Sequence, residues 1–397
     1  MVMTRRSPGA TGRLHRVLIT GGSGFLGQNL VQKLVDTGRY EVSVFDLSPF
    51  PKPGVCTSIK GNLLDYQQVE SAIAGMDVVI HTATLAVTGK NATSHGPMYQ
   101  VNVVGTGNVI KACIATGCRN LVYTSSASVA WDGTDYYGVD ERRPYPTKFP
   151  DFYSQTKKEA EVLVLEADGV QGLRTVSLRP SGIFGEGDLL MAPTTVKQCR
   201  RGKMKFIIGD GKNVMDWTYV GNVSDAHILA ADALIARKTH LCGKAYFITN
   251  DDPRPMWGFL SKTLEGLGYP AEMRPRIKLP FLLIWFIASI VEVVLRFLRS
   301  LGVDASTDFT VFRITVTAKN RHYSCEAAKR DLGYVPAVSV DEGLRRMIAS
   351  MPHLRKEVMD REEAKAKISS SATKATKTST PASMRKSPRK ATPSKRR

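Results

Sequence analysis

Two side chains one helical turn apart, Tyr153 and Lys157, open the stretch YSQTKKEAEVLVLEA, whose pattern predicts a helix. A spacing of four residues puts them on the same face. A phenol with an ordinary pKa of about 10 is a poor base at neutral pH, but a nearby ammonium, together with the positive ring of an oxidised nicotinamide whose binding motif lies upstream, stabilises the phenolate and lowers that pKa. The pair is therefore suited to take a proton from a substrate alcohol. A third group is expected from Tyr123-Thr124-Ser125-Ser126-Ala127-Ser128, where Ser126, with Ser125 in reserve, can bind the substrate oxygen as its proton leaves. Each piece alone has a plainer reading: Y-x-x-x-K on a helix is usually a surface pair, and serines after a strand usually make a turn.

What joins them is a cofactor signature near the N-terminus. Between Val17 and Gly27 the chain reads VLITGGSGFLG, followed by the amphipathic QNLVQKLVDTG. A strand, a tight turn and a helix with glycines at 21, 24 and 27 let a dinucleotide pyrophosphate approach bare backbone, where unpaired N–H groups and the helix dipole favour negative charge. A second strand ends in Asp46, placed to accept hydrogen bonds from the adenosine ribose and to repel a 2′-phosphate, which argues for NAD over NADP. The competing reading of Asp46 is the start of a turn with Ser48, Pro49 and Pro51; Lys52, the nearest cation, leaves room for a minor NADP activity.

Strands are expected near residues 16–20, 41–46, 55–60, 77–82, 120–125 and 174–179, with helices between them, which implies a doubly wound parallel sheet. Asn62 and Leu63 follow the third strand, and Ala83 the fourth, at the carboxyl ends where ligands bind in such sheets. Asn62 is within reach of an adenine edge. We expect a flexible N-terminus over residues 1–13 and a dinucleotide-binding domain over 14–180, to which 212–240 returns as a helix. A substrate lobe is expected from 181–211 and 241–355, and a basic disordered tail over 356–397.

Residues 279–295, LPFLLIWFIASIVEVVL, carry Glu292 as their only ionisable group and are flanked by Arg274, Arg276, Lys278, Arg296 and Arg299. As a helix they rise about 25 Å, short of a hydrocarbon core of about 30 Å, so a helix lying in the membrane interface is favoured over a span. A buried core or dimer helix is the alternative. The net charge of +19 is uneven, because residues 365–397 hold eleven Lys or Arg and no acid. Such a tail fits a tether to anionic lipid, tunable at Ser387 or Thr392, or a solvating extension. It carries no interleaved aromatics, so no specific nucleic-acid partner is expected. The six cysteines form no C-x-x-C pair and no metal-ligand spacing with the seven histidines, so reduced thiols and no metal site are expected. No apolar core of a secretory signal precedes the first strand. The sequons at Asn91 and Asn222 are read as unused.

The glycine turn, Asp46, TSSAS, Y-x-x-x-K and LRPSGIFG are arranged as in extended short-chain dehydrogenases of the Rossmann type. GGSGFLGQ, TSSASV, LRPSGIFG, RRGKMKFIIGDGKNVMDWTYVGNV, HILAA, GKAYFITND and HYSCEAAKRDLGY further resemble the 3β-hydroxysteroid dehydrogenase family, in its sterol-4α-carboxylate 3-dehydrogenase (decarboxylating) branch. The resemblance runs from about Arg16 to Arg355. It departs from the family at Asn62, where Asp is common, and at Ser181, where related sequences have His. It implies NAD contacts from Gly21, Gly24, Phe25, Leu26 and Gly27, from Asp46, Asn62, Leu63 and Ala83, and from Tyr153, Lys157, Pro180 and Ile183. It also implies Tyr153 as base toward a sterol 3β-hydroxyl, loss of the C4 carboxylate as CO2, a homodimer, and an endoplasmic reticulum membrane location with the catalytic domain facing the cytosol, the lipid droplet being the other candidate. Remaining alternatives are a 3β-hydroxysteroid dehydrogenase with Δ5-Δ4 isomerase activity, a sugar-nucleotide epimerase or dehydratase, which the apolar segment disfavours, and a non-catalytic dinucleotide sensor or membrane scaffold.

Overall fold

The computed structural model describes residues 13–85, 95–303, 307, 309–362 and 364. Seven parallel strands form the central sheet: β1 (His15–Thr20), β2 (Tyr40–Asp46), β3 (Thr57–Lys60), β4 (Val78–His81), β5 (Asn120–Thr124), β7 (Arg174–Pro180) and β12 (Lys244–Ile248), in the order β12-β7-β5-β4-β1-β2-β3. Alternation along β1 explains the double layer. Val17 and Ile19 pack toward α1 (Phe25–Asp36) and α7 (Val220–Ile235), and Leu18 packs toward α2 (Tyr66–Ile73), α4 (Gly105–Thr116) and α5 (Phe152–Glu166). With both faces covered, the inner strands β1 and β4 are near-continuous apolar runs, whereas the edge strand β3, Thr-Ser-Ile-Lys, is mostly exposed. The chain leaves β1 for β2 and β3 on one side and returns as β4 on the other, which opens a crevice at the carboxyl ends of β1 and β4.

A smaller lobe caps that end. In it β6 (Tyr136–Val139), β10 (Val214–Met215), β13 (Arg254–Pro255) and β15 (Arg321–Tyr323) form a sheet of order β13-β10-β15-β6. Strand β8 (Ile183–Phe184) pairs with β11 (Thr218–Tyr219), and β9 (Phe206–Ile208) with β14 (Ile277–Leu279). Helices α6 (Met191–Arg200), α8 (Met256–Gly266) and α12 (Val340–Ala349) enclose a core around Trp217 and Phe259, whose rings stack with centroids 4.1 Å apart. The remaining helices are α3 (His95–Tyr99), α9 (Phe281–Ser300), α10 (Val311–Ala318) and α11 (Glu326–Leu332).

Three boundaries drawn from sequence move. Residues 244–248, expected in the lobe, form β12 and pair with β7 in the main sheet; α11 follows them, with Ala328 and Leu332 in the core shared by α1 and α7. KAYFI has an apolar strand pattern, but a strand arriving so late in the chain is recruited by tertiary pairing that no local signal announces. The tail begins later than position 356, because residues 356–362 are helical and Asp360 pairs with Arg200 at 2.9 Å. The rest of the basic tail lies outside the described residues, as do residues 1–12 and Asn91. Asn222 is fully buried, with Nδ2 donating to Asn250 and Val338, so its sequon is closed to modification.

The apolar segment also shifts. Leu279 belongs to β14, and the helix starts after Pro280, which disfavours helical backbone at the residue before it. The helix then runs to Ser300, so its length is 20 residues and about 30 Å, longer than the 25 Å expected. It is no core helix: Phe281–Leu298 is apolar enough to cross a membrane yet only 6% buried. Leu282, Phe286, Ile290, Val293 and Phe297 form an exposed stripe at helical spacing. Ala288 is buried, α10 packs alongside, and the Glu292 carboxylate accepts a hydrogen bond from Val311 N at 2.8 Å.

Candidate active site

The glycine turn closes on itself for steric reasons. Gly21 has φ +73°, and a Cβ there would stand 2.6 Å from the Cα of Ala83 across the crevice. A Cβ at Gly27 would meet the Gly21 carbonyl at 2.4 Å. Gly24 is the N-cap of α1 and offers no side-chain cap, so the N–H groups of the first turn, at Phe25, Leu26 and Gly27, face the crevice end without a capping acceptor. This cradle fits a dinucleotide pyrophosphate. Asp46, at the end of β2, ties the turn: its carboxylate accepts from Ser23 N and from Ser48 N, each at 3.1 Å. The turn-forming and the ribose-facing readings of Asp46 are thus compatible. Asn62 is exposed, with Oδ1 accepting from Leu64 N, whereas Leu63 is buried behind it.

Tyr153 and Lys157 lie on the first turns of α5, which starts where the Asp151 side chain caps Ser154 N at 2.8 Å. The Lys157 ammonium reaches under the end of β5 and donates to the Thr124 carbonyl at 2.5 Å. Ser126 caps a short 3-10 turn, Ala127–Ala130, and is the serine brought to Tyr153. Ser125, the reserve, is sealed in the core with its hydroxyl unpartnered.

The electrostatics differ from the sequence expectation. Burial pushes Tyr153 up to about 12, with the Ser126 hydrogen bond pulling the other way. Burial also brings Lys157 down to about 7, which Glu161 opposes. The expected lowering of the phenol pKa by Lys157 is not present in the protein alone. Desolvation dominates, and the ammonium is spent on Thr124 and on the face of Tyr123.

The profile of the 3-beta hydroxysteroid dehydrogenase/isomerase family matches residues 18–281, a stretch that contains the glycine turn, Ser126, Tyr153 and Lys157. The chain belongs to that family. It is 41% identical to the 3beta-hydroxysteroid-dehydrogenase/decarboxylase isoform 1 of Arabidopsis thaliana, over 85% of this chain and 80% of the relative. It is 39% identical to the sterol-4-alpha-carboxylate 3-dehydrogenase, decarboxylating, of Mus musculus, over 85% of this chain and 91% of that one. Among solved structures, a dTDP-glucose 4,6-dehydratase from Streptomyces venezuelae, DesIV, superposes with a TM-score of 0.65 at 19% identity, over 85% of this chain and 96% of that one, which establishes the shared fold.

In this family member three further groups support the site, and sequence reasoning missed them. Asn102 lies in a π-helical turn, Gln100–Val104, and its side chain binds Leu85 N, Leu85 O and the Thr156 hydroxyl, stitching the β4 loop to the base helix. An amide inside the apolar run VNVV was the available signal. Burial lowers His227 to about 4, so the imidazole is a neutral strut whose Nδ1 donates to the Val223 carbonyl and whose Nε2 accepts from the Thr124 hydroxyl. Glu161, one turn beyond Lys157, is buried against Arg179, with Ser177 and Tyr145 donating to the same carboxylate. Ser181 is turned inward and donates to the Asp216 carbonyl at 3.2 Å, whereas Pro180 ends β7 and Ile183 opens β8 on the crevice side of the lobe.

Proposed function

We propose that this chain oxidises the 3β-hydroxyl of a 4α-carboxysterol to the 3-ketone with NAD and releases the C4 carboxylate as CO2, a step of sterol C4 demethylation. The observation that carries the reading is the meeting of Tyr153 with Ser126, one turn from Lys157, at the carboxyl end of β5 in the sheet whose first strand leads into the glycine cradle, in a chain so similar to decarboxylating sterol dehydrogenases. The residues that would hold the cofactor are Gly21, Gly24, Phe25, Leu26 and Gly27 at the pyrophosphate and Asp46 at the adenosine ribose. Asn62, Leu63 and Ala83 would line the adenosine side, and Pro180, Ile183 and Lys157 the nicotinamide side. NAD⁺, when bound, supplies the hydride acceptor for C3 and a positive charge beside the phenol.

Tyr153 takes the hydroxyl proton at its phenolic oxygen, a transfer that its high pKa in the protein alone opposes and added positive charge favours. Ser126 donates to the same substrate oxygen and restrains it as charge develops. The ketone produced stands β to the carboxylate, so the C4–carboxyl bond breaks with its electron pair passing into an enolate, which is then protonated at C4. Tyr153, protonated after the first step, and Ser126 are placed to hydrogen-bond that enolate oxygen.

Helix α9 supports a membrane reading of the interfacial type: one exposed apolar stripe, a packed opposite side, and cations at both ends. A lipid-soluble sterol suits such a surface. The endoplasmic reticulum membrane with a cytosol-facing catalytic domain, a homodimer and a lipid-binding tail belong to the same proposal.

The test is incubation of detergent-solubilised protein with a 4α-carboxysterol and NAD⁺, following NADH and CO2 together. Equal amounts of both are expected. NADH without CO2, with a 4-unsubstituted 3β-hydroxysteroid as the better substrate, would move the assignment to a 3β-hydroxysteroid dehydrogenase/isomerase; neither product, with NAD binding intact, would leave a dinucleotide sensor.

A further inference from the structure

The lobe gathers a group of cations that no carboxylate answers. Residues 196–209, the end of α6 and strand β9, hold Lys197, Arg200, Arg201, Lys203 and Lys205, and residues 273–280, which include β14, hold Arg274, Arg276 and Lys278; neither stretch contains an acid. Two of the eight are paired, Arg200 with Asp360 and Arg274 with Glu265. Among the described residues none of the other six forms a salt bridge, and Lys197, Arg201, Lys203, Arg276 and Lys278 are exposed. Elsewhere in the lobe surface cations find partners: Arg254 and Lys262 share Asp341, and Arg345 and Arg346 share Glu342. Like charges left uncompensated on one surface repel, and a polyanion relieves the repulsion.

The fold brings the two stretches together at one end of α9. The backbone N–H groups of Arg276 and Ile277 both donate to the Lys205 carbonyl, at 3.0 and 2.9 Å, and Phe206, Ile207 and Ile208 then pair with Ile277, Lys278 and Leu279. Lys205 is thereby level with Arg276, and Lys203 and Arg201 precede Lys205 by two and four residues. The ribbon passes through Pro280 into α9, whose Leu282, Leu283 and Phe286 are exposed, and Ile277, between Arg276 and Lys278, is exposed as well. Cations and apolar side chains therefore form one continuous surface. A nucleic acid would answer the charge and leave the apolar side chains in water. A bilayer answers both, with phosphates at the level of the cations and the acyl boundary at that of the helix.

We propose that the β9–β14 ribbon, with the end of α6, is a docking surface for anionic phospholipid and places the protein on lipid surfaces rich in such headgroups. The inference rests on the membrane reading of α9 above and adds a selectivity that the helix lacks: apolar side chains enter neutral and anionic lipid alike, whereas the ribbon distinguishes them. Its cations stand on folded backbone, so their spacing is set before the surface is met and little ordering is lost on binding.

The experiment measures flotation of the full-length protein with vesicles of phosphatidylcholine alone or mixed with phosphatidylserine. Lys203→Gln, Lys205→Gln, Arg276→Gln and Lys278→Gln are made together, with the basic tail unchanged. At about fivefold per surface cation, partitioning onto the mixed vesicles should fall by about 100-fold or more, and onto phosphatidylcholine by less than about 2-fold. The charge-conserving set Lys203→Arg, Lys205→Arg, Arg276→Lys and Lys278→Arg should keep the wild-type preference. A distant set, Lys52→Gln, Lys111→Gln, Lys148→Gln and Lys238→Gln, removes the same charge from exposed positions elsewhere and should change it by less than about 3-fold. A ribbon variant that keeps the wild-type preference, an equal loss on both lipids, or an equal loss in the distant set overturns the inference and leaves the helix reading standing. Wild type that floats equally with both lipids does the same. Loss of retention on single-stranded RNA with vesicle partitioning intact assigns the cations to nucleic acid, which also overturns it. Wild type that floats with neither lipid removes the membrane reading and this inference with it.

Discussion

The ammonium of Lys157 stands 4.3 Å from the centre of the Tyr123 ring, on the side chain that precedes the carbonyl it donates to. The strand thus offers the lysine a π-face and one oxygen, less than water would, and burial lowers it to about 7. In the unfolded chain the same group titrates at about 10.4. Between these values the unfolded state binds more protons, so the Lys157 contribution to stability rises as pH increases from about 7 to about 10 and is constant below 7. Urea unfolding of the cofactor-free protein at pH 7 and pH 9 should show this gain, and Lys157→Met should lack it. A variant whose stability changes with pH as the wild type does would reject the buried-ammonium account.

Tyr153→Phe removes the phenolic oxygen and keeps the ring. General-base catalysis of this kind contributes about 10²- to 10⁴-fold, and kcat should fall by that order while NAD affinity is held within a factor of about two. For the wild type, a phenol pushed up to about 12 makes oxidation faster as pH rises through neutrality, since each step up in pH enlarges the phenolate fraction. Near-normal turnover by the Phe variant, or a flat pH profile, would assign the base elsewhere.

Asp46 has one task seen in the fold and a second, cofactor selection, that we propose from its place in the sequence. Its hydrogen bonds from Ser23 N and Ser48 N steady the turn; at the end of β2 its charge would, on the proposed function, meet a ribose 2′-phosphate. Asp46→Asn keeps an acceptor and removes the charge, so it should raise kcat/KM for NADP relative to NAD by about tenfold or more, with little change in melting temperature. Asp46→Ala should shift the same ratio and also lower stability by about 1 kcal/mol. Unchanged cofactor preference in both would leave only the structural task.

The elements legible in the sequence are those written in local pattern. Strands β1 and β4 are short apolar runs, β2, β5 and β7 carry apolar residues between polar ones, the cradle is announced by Gly21, Gly24 and Gly27, and the helix of Tyr153 and Lys157 by their spacing. What stayed hidden depends on contacts between residues distant along the chain. Strand β12 joins β7 across more than sixty residues, and Asn102 meets Thr156 across 54. That burial outweighs the ammonium at Tyr153 in the protein without NAD⁺ was hidden for the same reason, because spacing shows which charges are near and not how dry they are.

Glu161 illustrates that dryness. Burial alone would raise its carboxyl, but the charge and hydrogen bonds of Arg179, with Ser177 and Tyr145, hold it below its ordinary value. Glu161→Gln strands a buried guanidinium, and removing one partner of such a pair costs about 3–5 kcal/mol. The variant should melt markedly earlier, and its Lys157 should titrate lower still. A melting temperature equal to that of the wild type would mean that solvent reaches Arg179.

Helix α9 decides whether this enzyme works on a membrane. Leu282, Phe286, Val293 and Phe297 are 76%, 59%, 58% and 62% exposed, a pattern that water opposes and a headgroup boundary accepts. Each such side chain is worth about 1.5–3 kcal/mol on leaving water. Changing all four to Ser should abolish flotation with neutral phosphatidylcholine vesicles, while NAD binding, which depends on the glycine turn and not on the exposed face of α9, stays unchanged. Neutral lipid is chosen because it gives the basic tail nothing to bind, so flotation reports the helix alone. Cysteines placed at 282 and 297 then distinguish the geometries. In an interfacial helix both react with a membrane-impermeant thiol reagent from one side and both contact shallow lipid quenchers, whereas in a span the two ends report opposite faces. Flotation that survives the four substitutions would transfer the anchor to another part of the chain.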